Sequence, residues 1–142
     1  MVKILFVCHG NICRSPMAEF VMKDMVKKAG LSHKFHIASC AASREELGSP
    51  MYSPARRELT RHGIACGEHW ARQITQKDLE SYDYIYYMDS RNRSYLRRMF
   101  PNFDGFLPFL SRDVADPWYS GDFTQTWLDI VEGCERIMKE VL

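Results

Sequence analysis

The residues best suited to chemistry stand together near the start of the chain: Cys8-His9-Gly10-Asn11-Ile12-Cys13-Arg14-Ser15, a cysteine followed by five residues, an arginine and a serine. A loop that curls into a helix N-terminus points backbone N–H groups inward, and with the helix dipole these make an anion cradle. Gly10 permits close approach of the backbone, and Asn11 tolerates the left-handed conformation such a nest requires. Arg14 can close the ring and hold two oxygens of a tetrahedral oxyanion bidentately. The same field acts on Cys8, because thiols beside a helix N-terminus and a cation ionise more readily. Cys8 is therefore expected as a thiolate, a nucleophile poised for attack at phosphorus. The spacing alone would leave Cys8 as one more buried cysteine closing a core strand; its flanks favour the chemical reading. The cradle is not a nucleotide P-loop, since the chain contains no G-x4-G-K-[ST].

Those flanks are a strand and a helix. Ile4-Leu5-Phe6-Val7 runs without alternation, as a strand buried on both faces does. After the loop, Met17, Phe20, Val21 and Met25 share one helical face and Gly30 stops the helix, with Ser15 expected as N-cap and Pro16 as the first helical residue. Further strands are expected around Phe35 to Ala42 and Tyr84 to Met88, and a short one at Phe106 to Leu110 that Pro108 pushes to an edge or a loop. Helices are expected from about Ser53 to His62, ending at Gly63, from Arg91 to Met99, closed by Pro101, and along the stripe Phe123, Trp127, Ile130, Val131, Cys134, Ile137, Met138 and Val141. Strands alternating with helices predict an α/β fold of three layers, a mostly parallel four-stranded sheet with helices on both faces. In such a sheet ligands bind beyond the carboxyl ends of the strands, where Cys8 to Arg14 lie. Ser43 to Pro54 is the longest expected loop, and loops of that length are often functional.

Composition narrows the alternatives. At 142 residues, 46% hydrophobic and 26% charged, the chain reads as one globular domain over residues 1–142. Its net charge of +1 gives no global field toward nucleic acid or a membrane surface, so an anion must be held locally. No apolar run is long enough to span a bilayer, and the opening residues lack a signal-peptide pattern, so the expected location is cytoplasmic. The five cysteines, Cys8, Cys13, Cys40, Cys66 and Cys134, are odd in number and scattered, which predicts free thiols rather than a disulfide framework or a zinc site.

The run from Val7 through Glu19 resembles the signature of the low-molecular-weight protein tyrosine phosphatases. Three further segments resemble the family in the same order: His69-Trp70-Ala71-Arg72-Gln73-Ile74-Thr75, Met88-Asp89 with Asn92, and Asp116-Pro117-Trp118-Tyr119. The resemblance implies a flavodoxin-like fold, no metal and no organic cofactor. It also implies hydrolysis of phosphotyrosine in protein substrates through a phosphocysteine: Cys8 attacks, Arg14 binds the phosphate, and Asp116 protonates the leaving phenolate and then activates water. His9, Gly10, Asn11, Ile12, Cys13 and Ser15 would bind the phosphoryl group, or inorganic phosphate and similar oxyanions, with Trp118 and Tyr119 on the aromatic side of the slot. His69 and Asp89 would support the cradle, His69 in a network with Asn11 and Ser15. By its own sequence setting His69 reads as a surface histidine, and Asp89 reads equally well as a cap of the next helix. The resemblance also implies that Cys13 can form a reversible, protective disulfide with Cys8.

The chain departs from the family at Arg44-Glu45-Glu46-Leu47, where many members carry an aromatic or apolar wall; the acidic pair should disfavour acidic peptides. Trp118 stands where tyrosine is common. Relatives acting on phosphoarginine carry threonine at the place of Ile12, and an apolar branched residue better suits an aromatic leaving group. Arginine phosphatase is therefore the main alternative. Arsenate reduction needs a second close cysteine pair that Cys40, Cys66 and Cys134 do not make, and a phosphosite-binding module would need only the cradle, not Asp116. The basic run Arg91, Arg93, Arg97, Arg98 reads as a solvated face or a docking surface for an acidic partner.

Overall fold

The computed structural model describes residues 1–142. Four parallel strands, β1 (Val2–Cys8), β2 (Phe35–Ala41), β3 (Tyr84–Tyr87) and β4 (Phe106–Pro108), form one sheet in the order β2-β1-β3-β4. Around it lie helices α1 (Arg14–Lys28), α2 (Ser53–Arg61), α3 (Gln76–Ser81), α4 (Ser90–Met99), α5 (Pro117–Ser120) and α6 (Phe123–Val141), with a 3₁₀ turn at Ser32–Lys34.

The unbroken apolar run of β1 is explained by what covers its two faces. Ile4, Phe6 and Cys8 join a core with α1, α2 and α6, through residues such as Met17, Leu59 and Ile130. Leu5 and Val7 join a smaller core with Ile74, Leu79 of α3 and Leu96 of α4. The α6 stripe packs as its spacing requires: Ile130, Cys134 and Ile137 are fully buried. Gly133 gives that helix room for Phe109, whose ring would lie 2.1 Å from an added β-carbon. No helix is long and apolar enough to cross a membrane.

Strand and helix bounds fall within a residue or two of the expected ones, and Pro108 closes an edge strand, where a missing N–H costs no ladder bond. Two helices went unread. In α3 the Thr75 side chain accepts from Asp78 N while the Asp78 side chain accepts from Thr75 N, a capping box in a segment too short to show periodicity. Bonds from Arg72 and Thr75 more than offset burial at Asp78 and hold its carboxyl below the usual carboxylate range. The other unread helix is the four-residue α5, where Asp-Pro reads as a turn.

The start of α1 corrects the sequence reading. The helix begins at Arg14, with Cys13 at the cap position and no side-chain cap; Ser15 is the second helical residue and Pro16 the third. Proline is still harmless there, since its missing N–H lies among the unpaired donors of the first turn. Ser15 is free of capping duty because its hydroxyl is used elsewhere.

β2 and β3 lie on opposite sides of β1, so the sheet order reverses at the carboxyl end of β1. Cys8 is the last residue of that strand. This is the crevice where open α/β sheets place their ligands.

Candidate active site

Cys8 is 3% exposed, and three groups of its own loop reach its sulfur. The backbone N–H groups of Asn11 and Ser15 donate to Sγ at 3.3 and 3.4 Å, and Ser15 Oγ lies 3.0 Å away. The direction of that last bond follows from its neighbours. Asn11 Nδ2 donates to Ser15 Oγ at 2.8 Å and to Ser39 Oγ at 3.0 Å, and Ser39 Oγ donates to Glu19 Oε1 at 2.6 Å. Ser15 Oγ thus accepts from the amide, and its single hydrogen has the sulfur at 3.0 Å or the Cys40 carbonyl at 3.4 Å; the shorter contact sends it to sulfur. A buried carboxylate at Glu19 therefore orders a chain of donors that ends on Cys8.

Asn11 makes the loop turn. It is fully buried with φ 60°, the left-handed conformation expected of it and the one positive φ outside glycine. Its Oδ1 accepts from Arg72 N at 3.3 Å, and its carbonyl accepts from His69 Nε2 at 2.7 Å. His69 is buried, not a surface residue, and the carbonyl partner places its proton on Nε2. It meets the main chain of Asn11 and does not touch Ser15, so the network runs through Asn11 alone. The 70–74 segment is fixed beside the loop by Ala41 N to Arg72 O and Ile74 N to Ala41 O.

Arg14 is 2% exposed, and its buried charge is paired. Nη1 donates to Asp89 Oδ2 at 2.7 Å and to the Val114 carbonyl at 2.8 Å, and Nη2 lies 3.3 Å from Asp116 Oδ2. Burial opposes that charge, but Cys8, Asp116 and Asp89 more than compensate and hold the guanidinium above its ordinary value. Asp89 performs both tasks that its position suggested: Oδ1 caps α4 by accepting from Asn92 N at 2.8 Å, while Oδ2 fixes Arg14. Asn92 Oδ1 in turn accepts from the backbone of Met88 and Asp89, both at 3.1 Å. With Nη1 held by Asp89 and Val114, Nε and the second hydrogen of Nη2 are the donors left for two oxygens of an oxyanion, the bidentate use expected of this arginine.

Cys8, His9, Gly10, Ile12, Cys13 and Arg14 line one cavity of about 260 Å³ with Glu45, Glu46, Asp116, Trp118 and Tyr119. Asn11 and Ser15, expected on that wall, instead hold it from behind with fully buried side chains; His69 is buried behind it as well, and Asp89 is partly buried beside it. Asp116 Oδ1 caps α5 by accepting from Trp118 N at 3.1 Å, which aims the other oxygen at Arg14. Trp118 and Tyr119 are 51% and 76% exposed, forming an aromatic side open to solvent. Tyr52 packs on Trp118 with ring centroids 4.8 Å apart. Glu45 bonds His9 Nε2 at 2.8 Å, so the acidic departure from the family pattern stands at the cavity mouth. The Cys13 thiol is pushed far above its ordinary range by burial, then by Cys8 and Asp116. The five cysteines are free, and no group of three or more metal-ligating side chains occurs.

A family model described as low molecular weight phosphotyrosine protein phosphatase matches residues 3–142. The chain belongs to this family. It is 37% identical over 150 residues to the Bacillus subtilis low molecular weight protein-tyrosine-phosphatase YfkJ, covering 99% of this chain and 96% of the relative. The YfkJ crystal structure matches with a TM-score of 0.95, covering 99% of this chain and 94% of that one. SP-PTP, the low molecular weight protein tyrosine phosphatase from Streptococcus pyogenes, matches at 0.94 with 39% identity, over 100% of this chain and 94% of its own. DARP, a drosophila arginine phosphatase, matches at 0.88 with 29% identity, over 98% and 97%.

Several residues that shape this phosphatase-family site carried little sequence signal. Ser39 is the one hydroxyl of β2, a strand that also carries the exposed His36, so its residue type alone marks no role. Ser43 Oγ donates to the His9 carbonyl at 2.9 Å, and the Val114 carbonyl is main chain, invisible to any reading of residue types.

Proposed function

We propose that the protein hydrolyses phosphotyrosine monoesters in two steps. The Cys8 thiolate attacks phosphorus, forming the S–P bond as the P–O bond to the aryl group breaks, and Asp116 gives its proton to the leaving phenolate. Water then attacks the phosphocysteine, Asp116 takes the proton, the S–P bond breaks, and the thiolate and inorganic phosphate are released. Arg14 binds the non-bridging oxygens throughout, with the loop N–H groups as further donors. Ser15, ordered by Asn11, Ser39 and Glu19, stabilises the departing thiolate. The observation that carries this reading is the convergence of Asn11 N, Ser15 N and Ser15 Oγ on Cys8 Sγ, in a cavity that also holds Arg14 and Asp116. The enzyme acts in the cytoplasm, uses no metal or organic cofactor, and is redox-sensitive: peroxide oxidises Cys8 to the sulfenic acid, which Cys13 condenses to a disulfide with loss of water.

The arginine-phosphatase alternative has one observation in its favour, the structural match to a protein so named. Ile12 on the cavity wall favours the aryl ester, since an apolar branched side chain packs better against an aromatic ring than against a polar phosphoguanidine group.

The test is phosphate release from a phosphotyrosine peptide under reducing conditions with EDTA, with phosphoarginine assayed in parallel. The expected result is release by the wild type, none by Cys8→Ser, and a rate lowered about 10²–10⁴-fold in Asp116→Ala. Release from phosphoarginine alone would transfer the reading to the alternative.

A further inference from the structure

The arginines that make ion pairs are Arg14, Arg61, Arg72, Arg112 and Arg136. The four arginines of α4 make none, and all are exposed. They divide between two faces. Arg91 and Arg98, with Ser94 and Tyr95 between them at helical spacing, line a groove of about 270 Å³ whose far wall is His9. Arg93 and Arg97 are absent from it. The groove continues into the catalytic cavity: His9 lines both, and Arg91 also lines the small hollow between them, beside Arg14 and Asp116. Arg98 lies over the Tyr95 ring, 5.7 Å from its centroid, and the His9 ring meets Tyr95 edge-on at 6.3 Å. These contacts restrain Arg98, so less side-chain entropy is lost when it binds an anion.

Charge differs sharply across the cavity mouth. Glu45 and Glu46 line the catalytic cavity but not the groove, and no carboxylate lines the groove. Asp89 and Asp116, in the hollow, are both bound by Arg14, and Asp113, beside the groove, is bound by Ser90. An extended peptide advances roughly 3.3 Å per residue, so a neighbour of the reacting tyrosine is within reach of Arg91. Resting on the phosphatase reading, we propose that this groove takes a carboxylate side chain of the substrate polypeptide close to the phosphotyrosine. The enzyme then selects tyrosines with an acidic residue on the α4 side, while Glu45 and Glu46 repel one on their own side.

The test uses three phosphotyrosine peptides, with glutamates only N-terminal to the tyrosine, glutamates only C-terminal, or glutamine at both places, and p-nitrophenyl phosphate as a substrate with no flanks. In the wild type one glutamate peptide is expected to exceed the glutamine peptide about fivefold in kcat/KM, chiefly through KM, with the ratio falling as salt is raised. The ratio is read within each variant, so a general loss of activity cancels. It drops to about one in Arg91→Gln/Arg98→Gln and persists in Arg93→Gln/Arg97→Gln, on the other face. A wild-type ratio near one for both glutamate peptides, or a ratio unchanged in Arg91→Gln/Arg98→Gln, overturns the proposal while p-nitrophenyl phosphate turnover leaves the phosphatase reading standing. If p-nitrophenyl phosphate is not hydrolysed either, both readings fall.

Discussion

Asn11 joins backbone strain to hydrogen bonding in one buried residue. Its side chain donates to Ser15 and Ser39 and accepts from Arg72, while its φ of 60° is one that few L-residues adopt at low cost. Asn11→Gly removes the bonds and keeps the turn; Asn11→Ala removes the bonds and strains the turn. Urea unfolding should place the alanine variant about 1 kcal/mol below the glycine variant, with both losing activity. Equal midpoints would show that the loop relaxes out of the left-handed conformation. Cys13 gives a second residue-level expectation. Burial keeps its thiol protonated, so it cannot replace Cys8 as nucleophile, but it lines the same cavity. Peroxide inactivation should be reversed by dithiothreitol in the wild type and become largely irreversible in Cys13→Ser, as followed by recovered activity. Equal recovery would remove Cys13 from the protective role. At this scale the spacing of Cys8, Asn11 and Arg14 in one loop made them visible, whereas Asp116 was marked only by the resemblance to the family, since Asp-Pro alone reads as a turn. Ser15 was misread, since a hydroxyl beside a proline looks like a cap whether or not a sulfur and an amide compete for it. Val114 acts through its carbonyl, which every residue has.

The elements were legible where periodicity had length to develop. β1 shows an unbroken apolar run and α6 a helical stripe over nineteen residues, whereas α3 and α5 have only six and four residues. The end signals of α3 were nevertheless present, in Thr75 and Asp78. Asp78 also ties that helix to Arg72, whose backbone N–H supports Asn11, so the element links stability to the site. Since the Asp78 carboxyl is held below its unfolded value, its contribution is present above the ordinary carboxylate range and is lost as pH falls through the depressed value. The stability advantage of the wild type over Asp78→Asn should therefore be constant from about pH 7 to pH 5 and shrink toward about pH 3. Urea midpoints measured across that range check the sign; an advantage that grew on acidification would contradict it.

In the whole molecule, a chain of net charge +1 brings the cradle loop and the carboxylates around Arg14 to one point. The sheet order reverses at the end of β1, α1 starts there, and the loops carrying Asp89 and Asp116 come to the same place from distant parts of the chain. The order of strands and helices announced that crevice, but not the Arg14–Asp89 and Arg14–Asp116 contacts, which span 75 and 102 residues. We propose that this convergence makes Cys8 a nucleophile toward phosphorus. The most direct test is rapid-quench mass spectrometry of Asp116→Ala mixed with p-nitrophenyl phosphate, because loss of the base should slow hydrolysis of the intermediate. A transient phosphoryl adduct is expected on the peptide containing Cys8, formed with a burst of nitrophenol and absent from Cys8→Ser. Turnover with no adduct, or an adduct on another residue, would contradict it.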